Sequence, residues 1–180
     1  MKGIELLLQR QSNPLLTSPM PTSEDVDKIL AAAMRVPDHA CLQPWHFTVV
    51  FNDGLQRLSD LFVASSDMAK ANLDKISKMP FRAPMIIVIS TKFVPHEKVP
   101  KQEQLIAAGC CAHAMQMAAF ALGYGAMWRT GDLAYNPAVK QGLNIEVQDE
   151  IVGFLYLGTE SRTLPLKPAK QVESKVSFWQ

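Results

Sequence analysis

The spacing of apolar residues changes several times along this chain, and each change marks an element. Near the start, Ile4, Leu7 and Leu8 fall on one side of a helix over residues 3–10. Pro19-Met20-Pro21 interrupts the pattern as a linker. Thr22 then offers a side-chain oxygen to the first N–H groups of a helix over about 23–35, whose apolar stripe is Ile29, Leu30, Ala33 and Met34. Pro37 ends it. The run Trp45-His46-Phe47-Thr48-Val49-Val50-Phe51 is rich in strand formers, and Asn52-Asp53-Gly54 closes it as a turn. Helical spacing returns over 55–63 and, in a polar and exposed form, over 67–78.

The second half is more apolar. Met85-Ile86-Ile87-Val88-Ile89-Ser90 lacks polar alternation, the pattern of a strand covered on both faces. A long helix from about Gln102 to Leu122 precedes a short strand, Ala126-Met127-Trp128-Arg129. Asn136-Pro137 places a capping residue before a proline at the first helical position and opens a helix to about Gly142. Ile151-Val152-Gly153-Phe154-Leu155-Tyr156-Leu157 is the last core strand. Beyond Gly158 the chain is polar and proline-punctuated, yet it ends with Phe178 and Trp179, which need a surface to dock on. The order predicts one α+β domain over residues 1–180, with helices outnumbering strands and an uncharged helix at the centre.

That central helix raises the membrane question. From Gln104 to Trp128, 25 consecutive residues carry no Asp, Glu, Lys or Arg, which is long enough for a span. Gln104, His113 and Gln116 interrupt the run, Gly123 and Gly125 break its end, and no membrane role is expected. Its small residues, Ala107, Ala108, Gly109, Ala112, Ala114, Ala118 and Ala119, suit close approach of another helix. Only 19% of residues are charged, below the usual ~25%. Some surface is therefore expected to be covered by something besides the subunit's own fold. With 18 Lys+Arg against 17 Asp+Glu there is no broad cationic field, which argues against nucleic acid as the main partner. Three cysteines, two of them adjacent, make no disulfide framework and fit a reducing compartment, and the N-terminus lacks a secretory h-region. A cytoplasmic location is expected.

Familiar chemistries are excluded by order and spacing. Gly123-Tyr124-Gly125 follows a helix and precedes a strand, the reverse of a dinucleotide-binding turn, and reads as a helix cap. Cys110 and Cys111 diverge by ~100° on a helix, so with His113, His39 and Cys41 they make a poor tetrahedral zinc site; no metal is expected. No Gly-x-Ser-x-Gly elbow is present. Four segments remain that join Arg or hydroxyl chemistry to a helix end or turn. They are Arg10-Gln11-Ser12, Met34-Arg35-Val36-Pro37-Asp38-His39, Gln43-Pro44-Trp45 and Trp128-Arg129-Thr130-Gly131. Arg10 with Ser12 combines a bidentate cation with a hydroxyl, the equipment for a terminal phosphate.

Together with Phe81-Arg82-Ala83-Pro84, Ala114-Met115-Gln116-Met117-Ala118-Ala119 and the run 149–158, these segments resemble the FMN-dependent nitroreductase family from about Ile4 to Gly158. The short bacterial YdjA-type NAD(P)H nitroreductases are the nearest pattern. The resemblance implies a mixed, mainly antiparallel sheet flanked by helices and an interlocked homodimer with FMN in each of two shared clefts. The arm over about 160–180 would pack on the partner subunit. By position, Arg10, Gln11 and Ser12 would hold FMN, chiefly its phosphate. His39 would contact FMN of its own subunit, Arg35 that of the partner, and Trp128, Arg129 and Thr130 would complete the site. Ala118, Ala119, Phe120, Ala121, Leu122 and Gly123 would border NADH or NADPH.

The activity implied is ping-pong hydride transfer through flavin N5, from NAD(P)H to a nitroaromatic or quinone-like small molecule. The flavin carries the redox step, so no protein residue is assigned as catalytic. The alternatives are a flavin-binding or flavin-remodelling protein without such turnover and a non-catalytic homodimeric module. Two departures touch the flavin: Gln11 replaces a usual arginine, and Pro14 stands where many members place a basic residue near the reduced ring's N1–O2 edge. Arg35 of the partner and Arg129 are candidates to substitute.

Overall fold

Residues Met85–Thr91 are buried at every position and organise everything around them. In the computed structural model, which describes residues 3–67, 72–169 and 171–180, the elements run in chain order. They are α1 (Gly3–Gln9), β1 (Leu16–Thr17), α2 (Ser23–Ala33), β2 (Trp45–Phe51), α3 (Asp53–Ala64), α4 (Leu73–Ser77), β3 (Met85–Thr91), α5 (Lys101–Ala121), β4 (Gly125–Arg129), α6 (Asp132–Tyr135), α7 (Pro137–Gly142) and β5 (Ile151–Glu160). β3 pairs antiparallel with β2 on one side and β5 on the other; β5 takes β4 on its remaining edge, and β1 beside its last two residues.

Because successive strand residues point to opposite faces, β3 divides its side chains between two cores. Met85, Ile87 and Ile89 join Leu155 and Leu157 beneath α2 and α5. Ile86 and Val88 join Phe154 and Tyr156 beneath α3, α6 and α7. On the second face Phe62 meets Phe154 edge-on, with ring centroids 5.3 Å apart. On the first, Ala33, Ala108 and Ala112 are fully buried, and the Cys111 thiol donates to the Ala33 carbonyl (3.4 Å). The small-residue stripe of α5 thus receives α2.

The two buried glutamines of α5 both have partners. The buried Gln104 carboxamide accepts from Val94 N and donates to the carbonyls of Val94 and Val99, clasping the preceding loop. Gln116, 5% exposed, accepts from Arg10. Although α5 has the length and apolar character of a span, it packs on the sheet and α2. It is not covered all round: Ile106 is 60% exposed. On α1, Ile4, Leu7 and Leu8 are also exposed, as are Phe178 and Trp179 in the tail.

Caps account for several boundaries. Thr22 Oγ1 accepts from Asp25 N at the start of α2, and Asn136 accepts from Ala138 N before Pro137. Gly123 follows α5 at φ 87°, where a Cβ would be strained. Three expectations change. Asp53-Gly54 is the first turn of α3 rather than part of a separate turn, with Asn52 alone in the left-handed region (φ 49°). The helix expected over 67–78 shortens to Leu73–Ser77, capped by Asn72; residues 68–71 of that range lie outside the described residues. β1 and α6, two and four residues long, carry too little periodicity to be foreseen.

Candidate flavin site

Arg10 stands one residue beyond α1, and its backbone N–H still bonds to Leu6. From there its Nη1 donates to Gln116 Oε1 (3.0 Å), which fastens the N-terminal segment to α5 and leaves most of the guanidinium's five donors unused. Gln11 does something different. Its Nε2 donates to the carbonyls of Leu164 and Pro165, and its Oε1 accepts from Lys167 N. Asn13, 1% exposed, continues the seam: its Nδ2 donates to Arg162 O, its Oδ1 accepts from Leu15 N, and its own N–H bonds to Ala126 O. Gln11 and Asn13 therefore stitch the early segment to residues 162–167. That puts Arg162 and Lys167 on the segment next to Arg10-Gln11-Ser12. A middle arginine at position 11 would lack the acceptor that receives Lys167 N.

Period 2 separates two of the residues expected at the ring. Trp128 faces α5: its indole lies over Gly153, where a Cβ would collide with the ring, and its Nε1 donates to Val152 O (3.2 Å). Arg129 faces the opposite side of the sheet, with Cζ 5.5 Å from the Tyr156 ring centroid. The two side chains therefore leave the strand on opposite faces, although both residues border one cavity at its end. What the strand end presents in common is backbone, together with the exposed Thr130.

Arg35 and His39 share the connection between α2 and β2. Arg35 is exposed just past the end of α2, where a cation complements the helix dipole. His39 Nδ1 lies 2.8 Å from Glu103 Oε2 in the first turn of α5, with both side chains about half exposed. The backbone after His39 is strained: Ala40, Cys41 and Gln43 have φ of 62°, 53° and 49°, in the region L-residues avoid. Asp38 braces the turn by accepting from Gln43 N (2.7 Å). Ala118 to Gly123 form the last turn and cap of α5, near Tyr124, whose hydroxyl donates to Asp25 (2.8 Å) and lowers that carboxyl's pKa.

The residues form two groups rather than one. At ~1.5 Å per residue, Glu103 and Gln116 are roughly 20 Å apart along α5. Within one chain, Arg10 and Ala118–Gly123 belong to one end of that helix, and His39 to the other. Sequence reading missed Asn13 and the role of residues 162–167, because the pairing spans nearly the whole chain.

Residues 7–159 match the nitroreductase family. The chain is 46% identical over 163 residues to the Escherichia coli K12 protein named "Putative NAD(P)H nitroreductase YdjA", covering 88% of each. A nitroreductase-like family protein of Bacillus cereus superposes with a TM-score of 0.90 at 21% identity, covering 100% of this chain and 97% of that one. A Bacteroides fragilis nitroreductase solved with bound FMN superposes at 0.75 and 20% identity, covering 98% of both.

Proposed function

Because the chain belongs to the nitroreductase family, we propose that it is an FMN-dependent oxidoreductase that transfers hydride from NADH or NADPH to nitroaromatic or quinone-like acceptors. The observation that carries this reading is the 46% identity across 88% of both chains. The likeness to a protein solved with FMN adds support. The chemistry FMN supplies when bound is two-electron transfer through N5, in a ping-pong cycle.

This chain's residues suit that group. Arg10 keeps donors free for a phosphate, Ser12 adds a hydroxyl, and the seam through Gln11 and Asn13 brings Arg162 within the same segment. The strand end at Trp128–Thr130 offers backbone to an isoalloxazine edge, and Trp128 acts by packing that strand against α5. Ala118–Gly123, which combine alanines with the larger Phe120 and Leu122, end α5 where a nicotinamide dinucleotide would lie.

The protein works as a homodimer in this reading. Exposed Ile4, Leu7 and Leu8 on α1, Ile106 on α5, and Phe178 with Trp179 are the apolar surface a second copy would cover, the tail acting as an arm on that copy. His39 sits at the far end of α5 from Arg10, and Arg35 precedes it on the same connection, so we assign both to the cleft built with Arg10 of a second copy, rather than dividing them between clefts.

The purified protein should be yellow, with a flavin absorption band that bleaches on anaerobic addition of NADH or NADPH and returns with a nitroaromatic or quinone. A colourless protein that takes up no FMN would overturn the reading. Sedimentation as a monomer at micromolar concentration with FMN bound would overturn the shared cleft.

A further inference from the structure

On the face of the sheet away from α5, a cavity of about 320 Å³ opens beside the strand end assigned to the flavin. That size is at the lower end of the ~300–1,000 Å³ usual for small-molecule sites. Phe62, Phe154 and Met79 give it apolar walls, and Arg82, Arg129 and Tyr156 bring polar groups into it. Among the described residues no carboxylate pairs with either arginine. Arg129 Nε is buried without any hydrogen-bond partner. Tyr156 is only 3% exposed. Burial raises the pKa of its hydroxyl, while the charges of Arg82 and Arg129 act in the opposite direction, so both cations are within electrostatic reach of the ring.

Both guanidinium groups are partly buried without a counter-charge, and the orphaned Arg129 Nε is costly to leave unpaired. The arrangement makes sense for a ligand that is flat, apolar over most of its surface and anionic at one end. Arginine forks fit carboxylate oxygens, Tyr156 supplies a neutral donor, and the phenyl walls cover a ring. A neighbouring cavity of about 450 Å³ shares Met79, Thr130, Gly131 and Leu133 with this one, so the two adjoin at the turn after β4.

We propose that this cavity seats the carboxylate of a monocyclic aromatic acid between Arg82 and Arg129, which makes aromatic acids a preferred acceptor class. The link to turnover rests on the flavin reading above; the binding itself does not.

Calorimetric titration of the flavin-loaded protein with benzoate, benzamide and inorganic phosphate tests the seat directly. Benzoate should bind, and benzamide and phosphate should bind at least about tenfold more weakly. Arg82→Gln and Arg129→Gln should each weaken benzoate by about ten- to a hundredfold, with Arg82→Lys in between. Equal binding of benzoate and benzamide, or no binding of either, overturns the proposal, as does phosphate binding as tightly as benzoate. Loss of FMN from Arg82→Gln with benzoate affinity unchanged also overturns it, because the arginine would then serve the cofactor. In turnover, Arg82→Gln should raise KM for 4-nitrobenzoate far more than for 4-nitrobenzamide; an equal rise for both overturns the acceptor assignment. If wild-type protein binds benzoate as described but oxidises no NAD(P)H with any acceptor, the flavin reading fails while the seat stands.

Discussion

The helices on one face of the sheet touch it through alanines and a cysteine, while those on the other face leave room around two arginines. Under α2 and α5, Ala33, Ala108, Cys111, Ala112, Met115 and Ala119 are all fully buried, and the polar side chains of Gln104 and Gln116 are paired. Under α3, α6 and α7 the side chains are larger, yet a cavity remains and Arg129 Nε is unpaired within it. Close packing of small residues leaves a helix little freedom to shift, which suits an element that positions Arg10, His39 and Ala118–Gly123 along its length. A loosely filled face with unpaired cations suits recognition. The division assigns rigidity to one side of a single sheet and ligand choice to the other.

The largest expected effect lies on the packed face. Met115→Ala removes a fully buried side chain and should cost about 2–5 kcal/mol, read as a lowered urea midpoint at fixed protein concentration. A loss under about 1 kcal/mol would mean that the α5 face is no tighter than its counterpart.

Next comes Arg10→Ala. It removes a charge-assisted contact of roughly 1.5–3 kcal/mol and should weaken FMN by about ten- to a hundredfold, measured by quenching of flavin fluorescence. The variant also strands the buried Gln116 carbonyl, so melting of the apoprotein must be followed alongside. Unchanged FMN affinity would hand the phosphate to the segment around Arg162 and detach cofactor binding from the α5 face.

On the cavity face the sign should reverse. Arg129→Met replaces a buried orphan donor by an apolar chain of similar reach and should raise stability by about 1 kcal/mol or more. The cation contact with Tyr156 is lost at the same time, which limits the gain. A clear loss of stability would show that Arg129 supports the fold, and the contrast between the faces would narrow.

How far these two faces can be foreseen from sequence differs for a physical reason. The unbroken apolar run at Met85–Ile89 and the uncharged helix after Gln104 are local patterns, and both reappear as the doubly covered strand and the central helix. Gln116 and Gln104 read as interruptions of that helix because their partners, Arg10 and the Val94–Val99 loop, are supplied by the tertiary fold. Arg82 carries no recognisable chemistry in Phe81-Arg82-Ala83-Pro84; its meaning appears only when β4 and β5 bring Arg129 and Tyr156 to the same cavity. Strand alternation alone predicts that Trp128 and Arg129 leave β4 on opposite faces, as they do.

The smallest effect compares the two faces through pH. Burial pushes the Cys111 thiol up to about 12, with smaller pushes in the same direction from Cys110 and Asp38. In the unfolded chain a thiol titrates near ~8.5. Between those values the unfolded state has lost the proton that the folded state retains, so it binds fewer protons and stability falls as pH rises. The contribution is fully present below the unfolded value and disappears as pH climbs toward the folded one. Its slope cannot exceed about 1.4 kcal/mol per pH unit. Other groups titrate in the same window, so the useful quantity is the difference between wild type and Cys111→Ala in urea unfolding at several pH values from about 7 to 10. Wild type should be more stable at neutral pH, where the thiol fills its place and donates to Ala33, and its advantage should shrink steadily above about pH 8.5. An advantage that stays constant to pH 10 would mean that water reaches Cys111 in the folded protein, and the α2–α5 face would then be no better sealed than the cavity side.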